Sequence, residues 1–376
     1  MQYLRPIPAI AATVAVAPSD RLGNPPALAW PARGAAAIFL DGFGEVGSSG
    51  PTSPLPMAST AKMMTALLVL EDHPLALNQP GPILTVSRAD VNTFIAERNQ
   101  GESVLPVSAG EQLTEYQLLQ GLLLPSASNF ADILATWESG SVPAFLNRMN
   151  ARATALGMNE THYADVSGFS AGTVSTPSDL IKLANSAMRL PAFAQIVGQT
   201  QASLPVAGTV RNLNTLLGKG GVVGIKTGHT DQAGGCLVFA ADLIVDGQSV
   251  RIYGAILGQP NALSGVFAAT TALLNSLRPT LHLRQVVRRG DVIGRYHAAW
   301  NESGSIVASE PVSWVLVDGT TISRGTKLSN PPPSLAANSR VGTLSLAAGD
   351  HRSEVPLVSA SAISGPDIGW RLTRGF

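Results

Sequence analysis

The chain has 376 residues, enough for two domains, and balances 25 Lys and Arg against 25 Asp and Glu. A neutral chain without a basic stripe gives no reason to expect a nucleic-acid partner. Cys236 is the single cysteine, which excludes an internal disulfide, and the six histidines are scattered without paired spacing, so neither a metal nor a cofactor is expected.

In chain order, Met1 to Pro18 is mildly apolar but interrupted by Pro6 and Pro8. Ala15-Val16-Ala17 followed by Pro18 makes a poor cleavage site, so the segment reads as an extended arm and not as a signal peptide. Residues 19 to 34 are rich in Pro and Gly and read as a linker. Ala35 to Leu40 is strand-like, Asp41-Gly42 is a turn signal, and Gly44 to Gly47 can return.

Ser59-Thr60-Ala61-Lys62 then precedes an apolar run (Met63, Met64, Ala66, Leu67, Leu68, Leu70) that predicts a helix near 60–71. Residues at i and i+3 share a helix face, so Ser59 and Lys62 lie about one turn apart. Ser59 would stand at the helix start, where free N–H groups and the dipole favour developing negative charge. A serine hydroxyl is a poor nucleophile unless a neighbour takes its proton, and Lys62 is the candidate base. Taken alone, the pair also fits a simple helix cap.

A second helical pattern runs near 113–124, with Thr114 as its cap, and stops at Pro125; another follows near 129–138. Ser126, Ser128 and Asn129 occupy the break, where small polar side chains can point into a cleft; taken alone, a loop joining two core helices is the plainer reading. Further helices are predicted near 143–156, 177–188 and 262–277, the middle one opened by Thr176 with Pro177 at its first position. Strand-like segments lie near 222–228, 235–244 and 249–257. The first carries Lys226-Thr227-Gly228-His229. Lys226 is a cation in an apolar strand, and Gly228 would let a substrate backbone lie close; an edge lysine that blunts aggregation is the plainer alternative. Cys236 falls in an apolar strand and reads as a buried structural residue.

Strands at both ends with helices between them predict an α+β fold. After Pro279 short β-like segments punctuated by Gly-Asp and Asp-Gly turns predict a small β-sandwich. No run of 18 apolar residues encodes a membrane span. The terminal stretch from Gly369 to Phe376 is too short for a stable interfacial helix. Trp370 and Phe376, with two arginines between them, could touch a membrane; packing residues are the simpler reading.

S-x-x-K, a serine triplet and K-T-G, in that order, are the signature set of the penicillin-recognising serine enzymes. The chain resembles the low-molecular-mass penicillin-binding proteins that act as D-alanyl-D-alanine carboxypeptidases. The likeness extends to Leu156 through Tyr163 with Asp165, Ser167 and Gly168, to Ser175 through Leu180, and to Gly224 through Leu237, covering roughly residues 35 to 280. It implies an antiparallel sheet with flanking helices and a helical subdomain: residues 1–34 an arm, 35–279 the catalytic domain, 280–376 a β-sandwich-like domain.

The resemblance also implies roles. Ser59 attacks the penultimate D-alanine carbonyl of a peptidoglycan stem peptide after neutral Lys62 takes its proton. Ser126 relays a proton to the departing D-alanine. The N–H groups of Ser59 and His229 hold the oxyanion. Lys226 and Thr227 bind the terminal carboxylate, and Arg211 resembles an arginine that assists them. β-Lactam antibiotics would acylate Ser59, and the enzyme would act outside the cytoplasm. The chain departs from the family at the serine triplet. Ser128 stands where an asparagine is usual, and Asn129 comes one place late. Either Ser128 takes over that hydrogen bonding or a backbone shift brings Asn129 inward. Three alternatives use the same scaffold: acyl transfer to an amine (a transpeptidase or peptide cyclase), a β-lactamase, and an inactive wall-binding scaffold. The β-lactamase needs a glutamate on the deacylating water, and the nearby candidates Glu138 and Glu160 lack the expected Leu-Asn offset.

Overall fold

The computed structural model describes residues 5–374. The first four residues of the expected arm and the terminal Phe376 lie outside the described residues.

A five-stranded antiparallel sheet carries the catalytic half, in the order Val222–Thr230, Gly234–Val245, Gln248–Gln259, Ala35–Leu40, Gly44–Ser49. Early and late strands meet where Ile38 pairs with Gly254 and Ala37 with Ala255. Both faces are covered, so the strands are apolar on both, and strand alternation sorts the residues between two cores. Cys236, Val238 and Ala240 face one core; Leu237, Phe239 and Ala241 face the other. The first core is shared with the helices Lys62–Asp72, Glu115–Leu123, Ser128–Ser139 and Pro177–Met188. The second takes in Val266, Leu273 and Leu277 of the helix Ala262–Leu277 and continues through Val286, Tyr296 and Trp314 into the C-terminal strands.

Helix ends follow local chemistry. Thr114 Oγ1 accepts from Gln117 N at 3.2 Å, and Gln117 Oε1 accepts from Thr114 N at 3.0 Å, a reciprocal capping box. Thr176 caps the helix whose first residue is Pro177. Three helices lie outside those expected: Arg88–Asn99, Pro191–Val197 and the terminal Ile368–Thr373. The first opens with a Ser87/Asp90 capping box, but buries only Glu97 fully, so no apolar stripe announces it.

The C-terminal half is a seven-stranded antiparallel sheet. Its order is Ala11–Val14, Val292–His297, Ser303–Ala308, His351–Ser359, Arg340–Ala348, Thr321–Leu328, Ser19–Arg21. A two-stranded ribbon of Leu281–Val287 with Val312–Val317 shares its core through Val286, Trp314 and Val315. The segment read as an arm and linker therefore needs correcting. It supplies both edge strands, Ala11 pairing with His297 and Ser19 with Ser323. Both strands are short and exposed, so only the distant partner reveals them. The terminal helix Ile368–Thr373 sets Trp370 edge-on against Trp300, ring centroids 5.7 Å apart. Trp370 is thus a packing residue. Among the described residues, no helix is long and apolar enough to cross a membrane.

Candidate active site

Ser59 lies in the 3-10 turn Ala58–Ala61 that leads into the helix Lys62–Asp72. Thr60 Oγ1 donates to Met57 O at 2.7 Å, and Thr65 Oγ1 donates to Val166 O at 2.8 Å. The first closes the turn on itself, and the second pins the helix to the segment around Val166. Two glycines admit that close packing. At Gly168, with φ +82°, a Cβ would stand 1.9 Å from Ala58 O. At Gly228 a Cβ would stand 2.9 Å from Ser59 N. The space that a side chain at 228 would fill belongs to the nucleophile turn, and Gly228 itself borders a cavity beside Ser59.

Lys62 is 1 % exposed. Its Nζ donates to Ser59 Oγ at 2.9 Å, Ser128 Oγ at 3.2 Å and Ser167 O at 2.9 Å. Burial lowers its pKa to about 8, against the opposing fields of Asp165, Glu102, Glu97 and Asp132. A usable fraction is then neutral near pH 7 and can accept a proton from the hydroxyl it touches. Lys226 is equally buried, and its Nζ donates to Thr227 O at 3.0 Å. Burial first, then the field of Lys62, pull its pKa well below the ordinary lysine value. A substrate carboxylate would favour its cationic form.

Ser126 follows Pro125 with φ +75°, a region a serine seldom adopts. It is buried, and its Oγ has no hydrogen-bond partner among the described residues. A buried hydroxyl held this way is a group waiting for a ligand or a water. With Ser59, Leu213, Thr227 and Gly228 it lines a cavity of about 330 Å³. A second cavity of about 370 Å³ also reaches Ser59 and is lined by Glu102, Ser103, Ser128, Thr230 and Asp231. His229 is exposed and borders both.

One expected substrate contact is corrected, and a second lies outside the lining of the cavity. Asn129 turns away from the cleft: its Nδ2 donates to Leu105 O at 2.9 Å and its Oδ1 accepts from Leu105 N at 3.1 Å. That leaves Ser128, bonded to Lys62, as the triplet's second polar group at the site. Arg211 is exposed at the end of the hairpin strand Gly208–Arg211, and the cavity takes Leu213 from that stretch. Nor does either glutamate considered for a β-lactamase border the two cavities; Glu138 is ion-paired with Arg148. Conversely, sequence reasoning missed Glu102 and Ser103 as cleft residues and Ser167 O as a partner of Lys62. The Gln100-Gly101 break marks a loop, but nothing local says that the loop enters the cleft.

Fold and site together define a serine enzyme of the penicillin-recognising type. The chain belongs to the D-alanyl-D-alanine carboxypeptidase family, whose profile matches residues 46–260. It is 34% identical over 200 residues to the D-alanyl-D-alanine carboxypeptidase of Streptomyces sp. (strain K15), an alignment covering 49% of this chain and 67% of that one. Among solved structures it is similar to a single-site mutant of the Streptomyces K15 DD-transpeptidase, with a TM-score of 0.57 and 28% identity, over 67% of this chain and 98% of the other. Penicillin binding protein 5 from Haemophilus influenzae aligns over 91% of this chain and 99% of its own, with a TM-score of 0.64 and 20% identity. That likeness is one of fold, and its extent takes in the C-terminal sheet.

Proposed function

We propose that this chain removes the terminal D-alanine from peptidoglycan stem peptides, outside the cytoplasm, through an acyl-Ser59 intermediate. The observation that carries the reading is the 2.9 Å contact between buried Lys62 Nζ and Ser59 Oγ. Neutral Lys62 takes the hydroxyl proton as Ser59 Oγ bonds to the penultimate D-alanine carbonyl. The N–H groups of Ser59 and His229 hold the tetrahedral oxyanion. The proton passes through Ser126 to the departing D-alanine nitrogen as the C–N bond breaks, and water then cleaves the ester. Lys226 and Thr227 hold the terminal carboxylate, while Ser128 stands in for the usual asparagine beside Lys62. A β-lactam presents a strained amide near a carboxylate and would acylate Ser59 by the same route.

Ser59→Ala tests this. D-alanine release from a D-Ala-D-Ala peptide should fall by roughly 10⁴-fold or more. Mass spectrometry should find a penicillin adduct on Ser59 of the native chain and none on the variant. Full hydrolysis by Ser59→Ala would end the reading. A second outcome of the same chemistry is acyl transfer to an amine, the activity named for the similar Streptomyces K15 DD-transpeptidase. Product analysis with an added amino acceptor separates the two.

A further inference from the structure

The step that ends the cycle, attack of water on the Ser59 ester, calls for a base that the three motifs do not supply separately from Lys62. We propose that Glu102 is that base, and that Ser128 returns its proton to Lys62; the proposal rests on the acyl-Ser59 reading above.

Placement is the first argument. Glu102 is half-buried and lines the same cavity as Ser59, on the side away from Ser126 and Thr227. The surrounding groups, Gln100, Ser103, Ser128 and Thr230, are polar, so a water there has partners. Asp231 borders the same cavity but is exposed on a turn.

Rigidity is the second. Ser167 Oγ lies 3.4 Å from the carboxylate Oε2, and Ser128 borders the same cavity. Its loop is stitched to the helix Ser128–Ser139 by Ser128 N–H donating to Ser103 O at 2.7 Å and by the Asn129 amide on Leu105. Asn129, displaced from the cleft, thus fixes the loop that brings a carboxylate into it.

The third argument is proton connectivity. Glu102 and Ser128 line the same cavity, Ser128 Oγ accepts from Lys62 Nζ, and Lys62 Nζ reaches Ser59 Oγ. The step balances. Water oxygen bonds to the acyl carbon and its proton goes to Glu102. The ester C–O bond breaks, and the proton moves through Ser128 and Lys62 to Ser59 Oγ, restoring the hydroxyl and the carboxylate. Burial raises the Glu102 pKa above the ordinary carboxylate value, with Ser128 and Lys62 opposing and Asp165 and Asp132 reinforcing. A base of raised pKa suits water activation near neutrality.

The test is Glu102→Gln in the full chain, with an N-acylated D-Ala-D-Ala tripeptide as substrate. Loss of water activation should lower kcat by roughly 100-fold and KM in step, leaving kcat/KM within about threefold, because acylation is untouched. Rapid quenching and mass spectrometry should find most of the variant's Ser59 acylated at steady state. Glu102→Asp, which keeps the carboxylate one methylene back, should recover part of kcat. Equal falls in kcat and kcat/KM without accumulated ester, in both variants, would make Glu102 a support for Lys62 and overturn the proposal. So would unchanged kcat in Glu102→Gln. Failure of the native chain to acylate Ser59 would instead remove the acyl-enzyme reading itself.

Discussion

On one side of Ser59 the cleft is walled by the strand Val222–Thr230, where Thr227 pairs with Leu237 and Gly228 with Cys236. On the other side it is walled by the loop around Glu102 and Ser103, which the neighbouring helix holds through Ser128 and Asn129. A strand aims successive side chains by its own period, so residue order alone sets direction. A loop takes its direction from whatever it is bonded to. The strand wall should therefore fail through steric intrusion, and the loop wall through loss of a tether.

Gly228→Ala probes the strand wall and should have the larger effect of the two wall variants. Its Cβ would press on Ser59 N from 2.9 Å, against backbone that cannot easily yield. Displacing that N–H removes an oxyanion donor, which elsewhere costs about 10²–10³ in rate. Penicillin acylation of Ser59 should drop by that factor while the far-ultraviolet circular dichroism is unchanged. An active Gly228→Ala would show that the turn can slide, and the strand wall would lose its claim to rigidity.

Titration of Lys62 sharpens the comparison, because this lysine bonds groups bordering both cavities. Burial lowers its pKa to about 8, so the neutral amine is the minor form at pH 7. Acylation should climb close to tenfold per pH unit below that value and level off above it. A rate flat from pH 6 to 9 would mean that the proton goes elsewhere.

Asn129→Ala cuts the tether of the loop wall. Two bonds to Leu105 disappear and leave a partly buried backbone pair unsatisfied, which should cost about 1–2 kcal/mol in urea unfolding. If the loop wall serves deacylation, turnover should slow several-fold with penicillin acylation little changed. Equal slowing of both would erase the distinction between the walls.

The same contrast explains what was legible in the sequence. Ser59 and Lys62 are joined by helix spacing, and Thr227 and Gly228 by strand spacing, so their convergence could be read from residue order. The caps at Thr114 and Thr176 were readable for the same reason, being local chemistry. Asn129 illustrates the limit: its place beside Ser128 suggested the cleft, yet only the tertiary partner Leu105 decides where the amide turns. Glu102 and the edge strands Ala11–Val14 and Ser19–Arg21 were illegible for the complementary reason, since their roles depend on residues far along the chain.

Glu115 lies in neither wall, and so separates support of the fold from chemistry. It opens the helix Glu115–Leu123 that runs into the Ser126 break. It is fully buried, neither carboxyl oxygen has a hydrogen-bond partner among the described residues, and burial pushes its pKa up to about 7. The folded chain then holds a proton that the unfolded chain releases near 4.5, so stability falls as pH rises from about 4.5 to about 7 and stays lower above. Glu115→Gln keeps the shape of the protonated acid and removes the ionisation. It should add about 1–3 kcal/mol at pH 8 and little at pH 4.5, read from urea midpoints, with D-alanine release unchanged. A stability gain equal at both pH values would mean that the carboxyl is already ionised in the fold, and that a water or backbone group satisfies it.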